Sequence, residues 1–190
     1  MDTQAHYNTT FEKKTAPEKK TRNEEFEDCA FIDCDFSKAS FASCMFTHCT
    51  FTRCNLSMIQ FDMSQLDHVS FIDCKLLGID FSQCSDFLFS VSFDNCVLDY
   101  CSFTGKKLRK MCFKNTSLKE GDLTDCDLSQ SVFENTDLHF TTFKNTNLSG
   151  ADFRSSRNYQ IDPETNILRK AKFSWPELAG LLYKYEVILE

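Results

Sequence analysis

From Phe26 to Phe81 every fifth residue is Phe or Leu: Phe26, Phe31, Phe36, Phe41, Phe46, Phe51, Leu56, Phe61, Leu66, Phe71, Leu76 and Phe81. After one slip the spacing resumes at Leu88 and holds without a miss to Phe153. A period of five matches neither helix nor continuous strand, whose side chains repeat at about 3.6 and 2 residues. It suits a short extended run followed by a bend, with the centre residue and the residue two before it pointing the same way. The residues two before each centre are mostly small, Cys29, Cys34, Ala39, Ile59, Val69 and Ala151 among them, while Asp, Asn, Ser, Thr and Lys crowd the other three positions. Two inward and three outward residues per five describe one side of a prism. Four sides of about 90° close a coil of about 20 residues, and successive coils stack as parallel strands about 4.8 Å apart. The crossover preference of parallel strands makes such a coil right-handed.

The expected fold is therefore all-β: a right-handed quadrilateral parallel β-helix over residues 26–158, entered through an irregular first coil over 1–25. Residues 159–190 read as a cap. Ser174 and Glu177 have capping-box spacing, and Pro176 falls in the first turn of an α-helix. On that helix Leu178, Leu181, Leu182 and Tyr185 share one face, and Val187-Ile188-Leu189 reads as a final short strand. A solenoid end exposes strand edges and raw core, so this helix is expected to cover it, to join two copies, or both.

Ten of the 11 cysteines sit at the small inward position, and only Cys112 is out of phase. Such a ladder puts neighbours on different walls, whereas zinc needs its ligands converging on one point. Stacked thiols such as Cys34, Cys54 and Cys74 lie one strand spacing apart, longer than the usual disulfide Cβ separation. Neither a metal nor any other cofactor is expected. The opening MDTQAHYNTTFEKK lacks the apolar core of a signal peptide, which with the odd cysteine count points to reduced thiols in a cytoplasm.

Two places break the pattern. The register slips by two residues between Phe81 and Leu88, leaving Phe87 and Phe89 either folded inward by a bulge or exposed as an aromatic contact. Lys106 falls at an inward position, where a charge is costly, so a bulge at Gly105 is expected to release it. On the outside, residues 20 apart stack. Asp94, Lys114, Glu134 and Arg154 form one alternating ladder, Asp33, Arg53 and Asp73 another, and Asn95, Asn115 and Asn135 a third made of amides.

The formal charge of −7 argues against direct nucleic-acid binding through phosphate neutralisation. No apolar stretch approaches a membrane span. Neither a glycine-rich phosphate loop, an HExxH nor a serine elbow occurs, and the four histidines are isolated, so no catalytic role is read from the sequence.

The A/C-x-F/L-x-x pattern of Phe26–Phe153 resembles that of the pentapeptide-repeat superfamily. With the slip at Cys84–Phe89, the Tyr159-Gln-Ile-Asp-Pro tail and the segment Phe173–Glu190, the chain is similar to the branch of quinolone-resistance (Qnr-type), mycobacterial MfpA-type and microcin-immunity McbG-type proteins. That resemblance implies a homodimer joined through the C-terminal ends. It also implies a DNA-mimicking surface that binds DNA gyrase or topoisomerase IV and shields it from quinolones or a toxin. The alternative is a scaffold for another protein partner. Acids outside the alternating ladders, Asp80, Asp122, Asp127, Asp137 and Asp152, lack an evident structural partner and are the expected contacts, with Phe87 and Phe89. Leu178, Leu181, Leu182 and Tyr185 are the expected dimer contacts. No long loop projects from the coils.

Overall fold

A computed structural model describes residues 4–185 and 187–188. Every strand pair in it is parallel, and each residue pairs with the one 20 positions on, or 22 across the slip. The chain is a four-walled β-solenoid. The first wall begins with Ala5–Tyr7, Glu25–Glu27, Met45–Thr47 and Gln65–Asp67. The second is a continuous sheet of seven strands, from Thr10–Glu12 to Val132–Glu134. On the third wall single bridges link Thr15, Asp35, Asn55, Lys75, Val97, Ser117, Asp137 and Arg157 in turn. The fourth opens with Lys20–Arg22 and Ser40–Ala42 and continues through a bridged column of Asp80, Ser102, Asp122 and Thr142.

The centre residues fill the axis. On the second wall Phe11, Phe31, Phe51, Phe71, Phe93, Phe113, Phe133, Phe153 and Phe173 form one column of near-parallel rings, with centroids 4.4 to 6.0 Å apart. Rings from other walls meet this column edge-on, as Phe36 does Phe31 and Phe103 does Phe113. Offset stacks and edge contacts are the favourable aromatic geometries, so the same rings set both the vertical spacing and the cross-section.

Corners are made by backbone. The residue two after most centres takes positive φ, and at about half of these corners the next inward residue donates its N–H back to the centre carbonyl, as Ile59 does to Leu56 and Ser131 to Leu128, both at 3.1 Å. A positive φ at the third position is what a type II turn requires. Among the described residues 27 non-glycine side chains hold this conformation, including Tyr100 and Phe140, while glycine fills only Gly78, Gly105 and Gly150. At roughly 1 kcal/mol or more apiece this strain must be offset by core packing.

The small inward position is more than a space-filler. Its side chain donates to a corner carbonyl one coil back: Cys49 Sγ to Phe26 at 3.3 Å, Ser64 Oγ to Phe41 at 2.6 Å, Thr146 Oγ1 to Leu123 at 2.7 Å. Cys, Ser and Thr are thus interchangeable donors at this site. Burial pushes the Cys49, Cys101 and Cys126 thiols up to about 12, so they remain protonated and able to donate.

Several expectations need correction. Leu88 is not a centre: it is half-exposed with φ of 55°, and Phe89 takes the inward place. No bulge releases Lys106. Gly105 has φ of 76°, the ordinary corner conformation, the register holds, and Lys106 is buried. Of the alternating ladders only Asp33–Arg53 and Asp94–Lys114 are ion pairs, because Arg154 turns back to Asp152, two residues away on its own strand. The amide ladder forms at Asn115–Asn135, while Asn95 donates instead to Asp73.

The C-terminal helix is present but wound as 3₁₀ turns, Trp175–Leu181 and Tyr183–Tyr185. The capping box does not form: Ser174 makes no side-chain cap, and Glu177 accepts the Asn158 N–H at 3.1 Å. Three residues per turn align Leu178 with Leu181 and Leu182 with Tyr185, splitting the single α-helical face into two. Leu181 packs on the core, whereas Leu182 and Tyr185 are exposed. Val187 and Ile188 are not in a strand, and Leu189 lies outside the described residues.

Phe71 is fully buried between Phe51 and Phe93. Phe71→Ala is expected to cost about 3–5 kcal/mol. Urea melts of wild type and variant will measure it, and matching midpoints would contradict the stacked core.

Candidate interaction surface

The two sequence anomalies meet in space. At the slip, Ser85 keeps its place on the first wall, its N–H bonded to Ser64, and the chain returns to the wall at Phe89. Asp86, Phe87 and Leu88 are pushed out as a bump, with Phe87 69% exposed. Phe89 folds in, edge-on to Phe81 at 6.4 Å. One coil later Lys106 points into the gap beneath the bump. Its Nζ donates to the Cys84 carbonyl at 2.7 Å and to Asp86 Oδ1 at 2.5 Å, and lies 5.0 Å from the Phe89 ring centroid. The ammonium therefore has a carbonyl, a carboxylate and a π-face around it, which is how a buried charge is made tolerable. Burial pushes the neighbouring Cys84 thiol up to about 12 against the pull of that ammonium, so no thiolate forms beside it. Lys106 thus holds the bump in place and presents Phe87 and Leu88 on its crest. The sequence alone marked Lys106 as anomalous but gave no means of pairing it with Asp86.

Three of the five acids read as partnerless are ion-paired. Asp127 takes Arg109 Nε at 2.6 Å. Asp137, 7% exposed, is ringed by Lys119 at 3.5 Å, Arg157 at 3.3 Å and the Asn158 amide at 2.8 Å. Asp152 meets Arg154 at 2.7 Å and Lys172 at 3.6 Å. Burial pushes the Asp137 carboxyl up, but the Asn158 amide and the two cations outweigh it and hold it below its ordinary value.

All five acids stand immediately before a centre residue, where the carboxylate accepts the N–H two residues on, for example Ser82 to Asp80, Thr124 to Asp122 and Arg154 to Asp152. This local bond is a turn-stabilising device for Asp and Asn. Its signature, Asp or Asn followed by Leu or Phe and then often Ser or Thr, recurs at Asp35, Asn55 and Asn147 and was available in the sequence. Asp80 and Asp122 keep that bond but have no cation.

The walls consequently differ in charge. Lys107, Arg109 and Lys110 project from the first wall, whereas the middle coils of the fourth wall bear Asp62, Asp80, Asp122 and Asp125, with Lys20 and Arg22 in the first coil and Lys144 in the last as its outward cations. Asp80 and Asp122 are two strand steps apart, about 10 Å. The first wall's basic group and the fourth wall's acids lie on adjoining sides, so the solenoid is polarised across its section.

At the C-terminal end the core is closed by Tyr159, buried against Phe153 and Phe173 at 5.7 and 5.5 Å. Lys184 ties the helical cap to Asp162 and Glu164, both at 2.7 Å. Beyond it Trp175, Leu182, Tyr183 and Tyr185 face solvent, Trp175 with 86% of its surface exposed. Among the described residues no group of His, Cys, Asp and Glu has a metal-holding arrangement, and no helix is long and apolar enough to cross a membrane.

A family model described as a pentapeptide repeat region matches residues 24–103, and a second, of pentapeptide repeats in eight copies, matches 122–157. Together they cover more than half of the chain. No curated protein matches the sequence. Among solved structures, a trypsin-treated form of QnrB1, a plasmid-mediated fluoroquinolone resistance protein, superposes with a TM-score of 0.66 at 18% identity, covering 100% of both chains. HetL, a pentapeptide repeat protein involved in heterocyst differentiation regulation from the cyanobacterium Nostoc sp. strain PCC 7120, gives 0.62 at 12% identity, covering 88% of this chain and 84% of that one. At these identities the likeness is one of fold.

The Lys106–Asp86 tie makes a quantitative expectation. Asp86→Ala strands a buried ammonium and should destabilise by up to about 3 kcal/mol, whereas Asp86→Ala with Lys106→Met removes the charge and should recover at least half of that. Chemical denaturation of both variants measures the difference. Equal losses would mean that the pair does not hold the bump.

Proposed function

Because the chain belongs to the pentapeptide-repeat family, whose coils present surfaces, we propose that it is a non-catalytic binding protein that occupies the DNA-binding surface of DNA gyrase or topoisomerase IV. The observation that carries this reading is the fourth wall. Its aspartates are unneutralised, while the ion pairs gather on the other walls, so one side offers a partner a run of negative charge on a rigid sheet. A surface built to receive duplex DNA is positive and attracts such a face at long range. The fold is shared with a fluoroquinolone resistance protein, and protection of the topoisomerase from a drug or toxin is part of the proposed role. The bump at Phe87 and Leu88 adds an apolar contact beside the charged face.

Binding of this kind weakens as salt rises and competes with linear duplex DNA. Asp62→Asn, Asp122→Asn and Asp125→Asn combined remove three charges without touching an ion pair, and Asn still serves at turn positions. The triple variant should lose more than tenfold in gyrase affinity, about 1.4 kcal/mol, with an unchanged melt. Simultaneous, non-competitive binding of DNA and protein to gyrase would exclude mimicry. No binding to either topoisomerase at low salt would leave a scaffold for another protein as the function.

The same reading makes the chain a homodimer through its C-terminal ends. The exposed cluster of Trp175, Leu182, Tyr183 and Tyr185 supports it, since each fully buried apolar side chain contributes about 1.5–3 kcal/mol. Leu181 faces the core and is a poor probe of assembly. Trp175→Asp with Leu182→Asp is expected to give a monomer whose repeats remain folded, by light scattering and circular dichroism. A wild-type monomer would refute the dimer.

A further inference from the structure

The first coil breaks the packing rule on two of its four walls. His6 stacks over Phe26 and Phe11 over Phe31, each at 4.8 Å, as the repeat requires. On the third and fourth walls, however, Ala16 stands over Phe36 and Thr21 over Phe41, where the following coils place Phe or Leu. Two missing large side chains leave a cavity of 290 Å³ floored by the rings of Phe26, Phe31, Phe36 and Phe41. It reaches solvent at the N-terminal mouth: Phe36 and Phe41 are 6% and 5% exposed, whereas Leu56 and Phe61, one coil deeper on the same walls, are 0% and 1% exposed.

Thr21 lines this cavity, 4% exposed, with its hydroxyl buried and without a hydrogen-bond partner. A buried hydroxyl left unpaired is costly; the inward hydroxyls of Ser64, Ser131 and Thr141 are satisfied, and among the described residues only Tyr159, at the opposite end, shares the lack of a partner. At the rim the Glu24 carboxylate is occupied by His6 Nε2 at 3.2 Å. Lys14 and Lys19 also border the mouth and have no ion-pair partner among the described residues.

We propose that this mouth is a ligand site for a planar aromatic carboxylate. An apolar cavity of about 150 Å³ takes benzene, so roughly twice that volume suits a fused bicyclic ring. Phe36 and Phe41 stand edge-to-face at 86°, so the ring stacks on one of them in place of its missing centre residue and meets the other edge-on. The Thr21 hydroxyl is enclosed as it stands, and a turn of its side chain, which breaks no hydrogen bond, brings it to a ring N–H or other polar atom. The carboxylate stays at the rim with Lys14 and Lys19. Occupancy restores the packing that Ala16 and Thr21 leave out, so ligand and first coil stabilise one another. This site lies at the end opposite the C-terminal cap, and its occupancy is independent of topoisomerase binding.

Indole-3-acetate is the probe, followed by calorimetry and thermal melts on the full chain. It should bind with a Kd at or below about 1 mM and raise Tm, while neutral indole binds at least tenfold more weakly. Ala16→Leu with Thr21→Leu rebuilds the repeat, fills the cavity and should abolish binding. Lys14→Gln with Lys19→Gln, both at exposed positions, should leave the fold intact and reduce indole-3-acetate to the affinity of indole. Absence of binding, undiminished binding to the filled variant, equal affinity for indole, or tighter binding of decanoate would each overturn the proposal.

Discussion

The ring column on the second wall is the constraint from which the rest of the architecture follows. Nine phenylalanines from Phe11 to Phe173 repeat with the spacing of hydrogen-bonded parallel strands, so side-chain stacking and backbone pairing are satisfied by the same translation. A slip of one residue in any coil would turn its centre ring to solvent and its polar neighbours inward. The column therefore fixes register more firmly than the three-residue strands could alone. It also supports the strained corners. Residues as bulky as Tyr100 and Phe140 accept positive φ because each corner is held between a buried centre, Leu98 or Leu138, and an inward donor, Cys101 or Thr141.

Corner carbonyls tie the core to the composition. An inward-turned carbonyl in a dry core needs a donor, and the small position supplies one through Cys, Ser or Thr. The cysteine-rich interior is thus a hydrogen-bonding lattice, which accounts for thiols in the first half of the chain giving way to hydroxyls at Ser131, Thr136, Thr141 and Thr146 in the second.

Regular coils leave little room for individuality, and the distinctive chemistry collects where they are interrupted. The slip creates the bump and the gap that Lys106 fills. The missing rings at Ala16 and Thr21 open the N-terminal mouth, and the chain's departure after Arg157 turns Tyr159 inward as a lid. The fourth wall is distinctive in charge and not in shape. Asp80 and Asp122 survive unpaired because the coils stacked on them place Ser102 and Thr142 there, where the neighbouring walls place Lys and Arg.

The five-residue period determined the walls, the coil length, the inward and outward positions and the parallel stacking, because each of these is a local consequence of which residue types recur at which spacing. Contacts between coils were legible where the partners are exactly in phase, as for Asp33–Arg53 and Asp94–Lys114. Tertiary structure alone decided the rest. Leu88 lost its inward place to Phe89 because three residues had to leave the wall before the chain could rejoin the column. Lys106 needed no bulge because Asp86 reaches back over it from the previous coil. Asp127, Asp137 and Asp152 found cations 2 to 20 residues away in sequence, along a strand or between coils. The cap wound as 3₁₀ turns, since Glu177 bonds to Asn158 instead of closing its own helix. For Lys106, Asp137 and Glu177 the deciding energy is the satisfaction of a polar or charged group by a partner from another coil, which a periodic pattern does not specify.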